Sequence, residues 1–282
     1  MTSTSFITVT FFSPGTSHFQ PSATIPAPFP ITTAPKPTIP ASPTTSNEPD
    51  YNGSTYYVDG VGDFKNKKVF TFNSDKLPDG LQASEYTVYD SYGGAPYNHK
   101  FDPANVYCDG KFLNLRVPAD PSPPAGQDHT ISCAEVVTTQ NDIKYASVRM
   151  NAIFSEVPGT CHGMFFYLDD TQEIDIEYLT DRNSTSNIIG PSSSDASPIP
   201  LWYSNQAIKS GQKATQATGP PPSDVASIHE YRIDWVEDYT AFYVDGKLQK
   251  KYTTNVPTKA GSWIWNNWAN GDQGEFDARQ HK

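Results

Sequence analysis

The sequence predicts an all-β domain, a sandwich or jelly roll, on three observations. Short runs suited to strands recur from residue 51 onward, Asp-Gly pairs punctuate them, and helical periodicity is nearly absent. At 282 residues the chain is long enough for one all-β domain and a tail, since such domains run to roughly 200–250 residues.

The tail comes first. Residues 1–50 are dense in Pro, Ser and Thr, with Lys36, Glu48 and Asp50 as their charges. Proline removes backbone donors, and a segment without a periodic apolar face does not fold by itself. Residues 1–50 therefore read as a disordered Pro/Ser/Thr-rich linker and residues 51–282 as the folded domain. Inside the tail, Phe6-Ile7-Thr8-Val9-Thr10-Phe11-Phe12 is apolar. It is short for a secretory leader and no Lys or Arg precedes it, so it is not read as one.

The domain begins with the alternating run Lys68-Val69-Phe70-Thr71-Phe72, ended by turn chemistry at Leu77-Pro78-Asp79-Gly80. Val106-Tyr107-Cys108 and residues 111–117 flank Asp109-Gly110, a strong hairpin signal. Residues 131–138 and 144–154 are further strands around a polar turn at Gln140-Asn141-Asp142. Residues 163–168 are too apolar to be exposed on both faces and lead through Asp169-Asp170-Thr171 into residues 172–179. Residues 181–226 read as a long irregular stretch, rich in Ser, Pro, Gly and Thr, with a strand-like island at 199–203. Residues 231–235 and 239–244 follow, and Asp245-Gly246 makes a second hairpin.

Charge and cysteine content narrow the function. The net charge is −11 and no Lys/Arg block offers a phosphate-tracking surface, which excludes nucleic acid as a partner. No stretch reaches the ~18–20 apolar residues that span a bilayer. Cys108, Cys133 and Cys161 lack metal-ligand spacing, and one disulfide with one free thiol is the simplest assignment, its pairing open. No metal site or cofactor is expected. Asn52-Gly53-Ser54 and Asn183-Ser184-Thr185 are glycan acceptors if the chain is secreted.

The chemistry lies in Gln172-Glu173-Ile174-Asp175-Ile176-Glu177-Tyr178-Leu179. In a strand, alternate side chains share a face, so Glu173, Asp175 and Glu177 point one way while Ile174, Ile176 and Tyr178 point to the core. Three acids on one face repel each other, a cost that suggests use. The competing reading is a merely solvated face, which the buried-looking strand before it and the aromatic-rich surroundings disfavour. Paired carboxyls hydrolyse a glycosidic bond when one attacks the anomeric carbon and the other protonates the leaving oxygen, at ~5–5.5 Å separation. Residues four apart on a flat strand stand about 13 Å apart, so the strand must curve for Glu173 and Glu177 to converge over Asp175. The middle acid has two tasks: like-charge repulsion that keeps a neighbour protonated, and a hydrogen bond to the nucleophile.

Tyr145-Ala146-Ser147-Val148-Arg149-Met150, Gly163-Met164-Phe165-Phe166-Tyr167 and the Glu173–Glu177 motif resemble the catalytic core of glycoside hydrolase family 16. The likeness continues through residues 229–235 and 242–246 to Trp265-Asn266-Asn267-Trp268-Ala269-Asn270-Gly271-Asp272, over most of residues 60–272. The overall flavour is similar to fungal secreted members. The resemblance implies a concanavalin A-like β-jelly roll and a retaining mechanism on β-linked glucans. It makes Glu173 the nucleophile, Asp175 the assisting carboxylate and Glu177 the acid/base. One residue between the last two acids resembles the unbulged form of the family: mixed-linkage β-glucanases, xyloglucan-active enzymes and fungal wall transglycosylases. Family members continue past the Trp268 region into a strand that closes the sandwich, so the domain is expected to lack its last strand.

Aromatic rings at a sugar cleft stack on the apolar C–H faces of the sugars. Trp268 is the first candidate, with Asn266 beside it on a strand that borders the cleft in the family, followed by Trp202 and Tyr203. Trp235 is assigned to the core, and His229 is given a structural place. Asp169, Asp170 and Asp181 are expected to be solvated. The implied function is endo-hydrolysis of β-1,3/1,4-type glucans by a monomer outside the cell or in its wall. A transglycosylase using the same residues, of β-glucan or chitin-glucan type, and a non-catalytic carbohydrate-binding jelly roll are the alternatives.

Overall fold

The computed structural model describes residues 3–13, 50–51, 53–89, 97–120, 129–189 and 197–269. Two large sheets carry the fold. The first contains, in spatial order, β19 (Lys247–Tyr252), β18 (Thr240–Val244), β17 (His229–Trp235), β12 (Ala146–Ile153), β1 (Ser3–Ser13), β10 (Leu113–Val117) and β9 (Val106–Cys108), with β5 (Asn66–Phe70) also paired to β1. The second runs β16 (Thr215–Gly219), β15 (Leu201–Asn205), β14 (Gln172–Leu179), β13 (Cys161–Asp169), β20 (Ser262–Trp268), β11 (Thr130–Thr138), β8 (Asn98–Phe101) and β7 (Tyr86–Val88), with β6 (Leu81–Ala83) also on β11. A small sheet of β2 (Asp50–Tyr51), β3 (Tyr56–Val58) and β4 (Gly62–Phe64) stands apart.

Both Asp-Gly hairpins form. Gly110 adopts φ 84°, and the Asp109 carboxylate accepts the backbone N–H groups of Lys111 at 2.9 Å and Phe112 at 2.7 Å, turning β9 into β10. Asp245 and Gly246 take φ 49° and 72° between β18 and β19. Two consecutive left-handed residues match the right-handed twist of the strands they join.

Strand alternation builds the core between the sheets. Val148 and Met150 of β12, and Tyr231, Ile233 and Trp235 of β17, meet Met164 and Phe166 of β13, Ile174, Ile176 and Tyr178 of β14, and Trp263 and Trp265 of β20, all buried. Trp235 is a core residue as expected. Its ring lies 4.2 Å from that of Phe166, and its Nε1 donates to the Pro257 carbonyl at 3.0 Å. His229 is structural too, its ring bonding the Asp245 carboxylate and the Asp224 carbonyl, each at 2.8 Å.

Gly261, just before β20, exchanges both backbone hydrogen bonds with Ile143. A Cβ there would stand 2.5 Å from the Tyr167 carbonyl oxygen and 2.9 Å from the Phe166 ring. Backbone cannot give way as a flexible side chain can, so Gly261→Ala is expected to cost about 1–3 kcal/mol. Thermal unfolding checks this, with a Tm equal to wild type as the contrary result.

Two expectations are corrected, on the cysteines and on residues 181–226, and the N-terminal segment contributes one strand. The first strand, Ser3–Ser13, lies within the segment expected to be disordered, yet it pairs with β10 through Ser3↔Val117 and with β12 through Phe6↔Ile153. An apolar run too short to fold alone is stabilised here by strands on both sides. The rest of that segment, 14–49, and residues 270–282, where a closing strand would be sought, lie outside the described residues. Cys108, Cys133 and Cys161 are all buried free thiols, so the assignment of one disulfide does not hold. Each sits on a different strand, and the Cys133 sulfur instead accepts the backbone N–H of Ala269 at 3.3 Å. The stretch 181–226 is more regular than its composition suggests, since it supplies a short helix α1 (Thr185–Ile189), β15 and β16. Thr215–Gly219 carries no apolar alternation and becomes a strand by pairing with β15.

Candidate active site

The acidic strand is β14, and its alternation is as expected. Ile174, Ile176 and Tyr178 enter the core, while Glu173, Asp175 and Glu177 take the opposite face of the second sheet. Asp175 is buried and the two glutamates are partly so. Burial is the largest cause of a raised pKa at all three. The charges of Glu177 and Asp170 lift Glu173 further, against a hydrogen bond from Asp175, to about 7. Asp175 is held well above the ordinary range by burial and by the charges of both glutamates. The hydrogen bond between Asp175 and Glu173 raises the pKa of the first and lowers that of the second. Gln206 Nε2 donates to Asp175 Oδ2 at 3.1 Å, and the Gln206 backbone N–H donates to the Glu173 carbonyl at 3.1 Å.

Cross-strand register places the remaining candidates. Glu177 is opposite Gly163 on β13 and Trp202 on β15; Gly163 is opposite Asn266 on β20, and Asn266 is opposite Glu135 on β11. Glu135, Asn266, Gly163, Glu177 and Trp202 thus form one transverse row on the face of the acids. Gly163 keeps the centre of that row open, because a Cβ there would stand 2.5 Å from Asn266 Oδ1. Asn266 is buried, and its Oδ1 has no hydrogen-bond partner among the described residues. An acceptor desolvated without a partner costs about 1–3 kcal/mol, which a hydroxyl-rich ligand would relieve.

Trp268, two residues past Asn266, shares this face; its ring stacks on His99 at 5.0 Å and 29°. Trp202 packs with Cys161 and Leu179, and its Nε1 donates to Asn187 Oδ1 of α1 at 3.1 Å. Tyr203 does not belong to the site. It pairs with Ile176 and is fully buried between the sheets, against Phe242. One residue of displacement along a strand reverses the face, so Trp202 and Tyr203 cannot both line it. Of the flanking aspartates, Asp170 is exposed as expected and Asp169 partly so, whereas Asp181 is not solvated. Asp181 is buried and accepts the N–H of Asn183 at 2.8 Å, Asp169 accepts the N–H of Thr171 at 2.9 Å, and Asp170 accepts the Tyr167 hydroxyl at 2.9 Å.

The sequence reading missed three polar residues of this site. Glu135 accepts the Ser84 hydroxyl at 2.7 Å and the Tyr86 hydroxyl at 3.1 Å; burial raises its pKa and these bonds oppose the rise. Its signal was a single acid in the apolar run Ala134-Glu135-Val136-Val137. The other two are Gln206 and Cys161, whose thiol donates to Glu177 Oε1 at 3.5 Å. No His/Cys/Asp/Glu group able to hold a metal occurs among the described residues.

Solved structures share this architecture. A Bacillus licheniformis β-glucanase aligns over 73% of this chain and 89% of its own, at TM-score 0.54 and 19% identity. The catalytic domain of an endo-1,3-β-glucanase (laminarinase) from Thermotoga petrophila aligns over 73% and 87%, at TM-score 0.54 and 16% identity. At that identity the likeness concerns the fold, a jelly roll. In sequence, a β-glucanase of Paenibacillus polymyxa is 25% identical over 170 residues, and one of Acetivibrio thermocellus 29% over 129. The aligned segments span 61% and 33% of those two proteins, and 58% and 44% of this chain. The model of glycosyl hydrolases family 16 matches residues 95–278. That match takes in the acidic strand and its neighbours and exceeds half of the sequence: the chain belongs to glycosyl hydrolases family 16.

Proposed function

We propose that this chain is a retaining endo-glycosidase that hydrolyses β-glucans of the β-1,3/1,4 type. The observation that carries the reading is geometric: Glu173, Asp175 and Glu177 share one face of β14, with Asp175 buried between the two glutamates and held by Gln206, and with Gly163 opposite Glu177. In the first step a Glu173 carboxylate oxygen bonds to the anomeric carbon, the glycosidic bond breaks, and Glu177 gives its proton to the leaving oxygen. In the second step Glu177 takes a proton from water, whose oxygen attacks the same carbon and displaces Glu173. Asp175, held by Gln206, keeps the nucleophile oriented and disperses its charge.

Trp268, partly exposed on the face of the acids, offers its ring to a sugar face, with Trp202, Asn266 and Glu135 packed beside it as the floor of that face. Family membership and β-glucanase relatives support the substrate class. Extracellular or cell-wall action follows from a polymeric substrate. No helix among the described residues is long and apolar enough to cross a membrane.

The test is incubation with lichenan, laminarin and xyloglucan, with product sizing and proton NMR of the first product's anomeric centre. Shortened chains from a mixed-linkage glucan, released first in the β configuration, are expected. First release of the α anomer overturns the retaining mechanism. Products longer than the substrate identify a transglycosylase, and binding without turnover identifies a lectin-like role.

A further inference from the structure

We propose that Cys161 is a positioning residue for the acid/base, linking the indole of Trp268 to the carboxyl of Glu177 across three adjacent strands. The proposal rests on the role given above to Glu177. Cys161 stands on β13, opposite Trp268 on β20 and Leu179 on β14. Its thiol donates to Glu177 Oε1 at 3.5 Å, and its sulfur receives a hydrogen bond from the Trp268 side chain.

Three further observations make this contact more than packing. Among the described residues, Cys161 is the one hydrogen-bond partner of the Glu177 side chain. Complete burial and the nearby carboxylates push the thiol's pKa well up, so Cys161 stays a donor at any working pH. The bond goes to Oε1, which leaves Oε2 to carry the proton towards the leaving oxygen. A thiol is a weak donor, suited to orienting a carboxyl that must lose and regain a proton in each cycle. A stronger donor would favour the ionised form too much.

The groups around Glu177 are few. On its own strand are Asp175 and Glu173, and on β13 Cys161. The side chains that β15 and β20 present beside it, Trp202, Asn266 and Trp268, do not titrate in this range, and Glu135 lies beyond Asn266. A donor to the carboxyl favours its ionised form, so removing the thiol makes Glu177 hold its proton to higher pH. The alkaline limb of kcat/KM reports loss of that proton from the free enzyme.

The test compares Cys161→Val, which removes the donor at similar volume, with Cys161→Ser, which keeps one. Two readouts are needed: the pH profile of kcat/KM on a soluble β-glucan, and carbon-13 NMR titration of glutamate carboxyls, with Glu177→Gln identifying the signal. Cys161→Val is expected to move both upward by about half a unit to one unit. Cys161→Ser is expected to leave them in place or move them down. No shift in Cys161→Val, or equal shifts in both variants, overturns the proposal, because a packing role does not distinguish Ser from Val in this way. If wild type turns over no β-glucan while the carboxyl signal still shifts, the positioning stands and the enzymatic reading falls.

Discussion

Glu173→Ala is expected to lower kcat on a soluble β-glucan by about 10⁴-fold or more, with KM little changed, because removing a nucleophile leaves only binding and the surrounding groups. Glu177→Ala is expected to lose a comparable factor on substrates with a poor leaving group. Substrates whose leaving group departs without a proton should be spared much of that loss, since a general acid contributes about 10²–10⁴-fold. The contrast separates the two roles: a good leaving group rescues Glu177→Ala in the first step and does nothing for Glu173→Ala. Equal rescue of both would show that the assignment of nucleophile and acid is wrong. Affinity electrophoresis in glucan gels supplies the control, since both variants should still be retarded.

Glu173→Gln is expected to stabilise the fold, and increasingly so as pH rises. The native protein holds the Glu173 proton more tightly than the unfolded chain does, with a pKa raised from 4.5 to about 7 mainly by burial. Its contribution to stability is therefore fully present below about pH 4.5 and is lost as pH rises through about 7. The raised pKa values of Asp175 and Glu135 act in the same direction. A glutamine cannot ionise, so the difference in Tm between variant and wild type should be near zero at pH 4 and largest at pH 8. Discounted for the partial exposure of the side chain, the gain at pH 8 is about 1–3 kcal/mol. In a domain of this size that is a rise of roughly 2–10 °C. Calorimetry across the range checks it; a difference that does not change with pH would mean the acids cost nothing in the folded state.

The period-2 pattern was the most legible feature of the chain. It placed Glu173, Asp175 and Glu177 on one face of β14 and the isoleucines on the other, because face is fixed by alternation alone. It failed where a ring's size was weighed without its parity. Tyr203 sits one position from Trp202 and therefore faces the core. Turn chemistry was equally legible, because Asp109-Gly110 and Asp245-Gly246 carry their backbone geometry in their own residues. Strands without such local signals were not. Thr215–Gly219 and Ser3–Ser13 are strands because of what lies beside them, and no local pattern announces a neighbour distant in sequence. The same holds at the site. Gln206 and Cys161 reach the acidic strand from the residue after β15 and from β13, and Glu135 joins the same face from β11 through Asn266. Only the order of strands in the sheet reveals them.

The position of β1 has a consequence for how the chain acquires its structure. This strand is made before all three of its partners: β5, starting at Asn66, β10, starting at Leu113, and β12, starting at Ala146. At ribosomal rates of about 5–20 residues per second, β1 waits roughly 3–10 seconds for β5 and roughly 5–30 seconds for β10 and β12. During that time an apolar, β-prone peptide has at most the short strand β5 as a native partner. Pairing so remote in sequence also makes closure of the first sheet a slow, late event. The solubility of the nascent chain then depends on residues 3–13 avoiding non-native pairing until the middle of the sheet has been made.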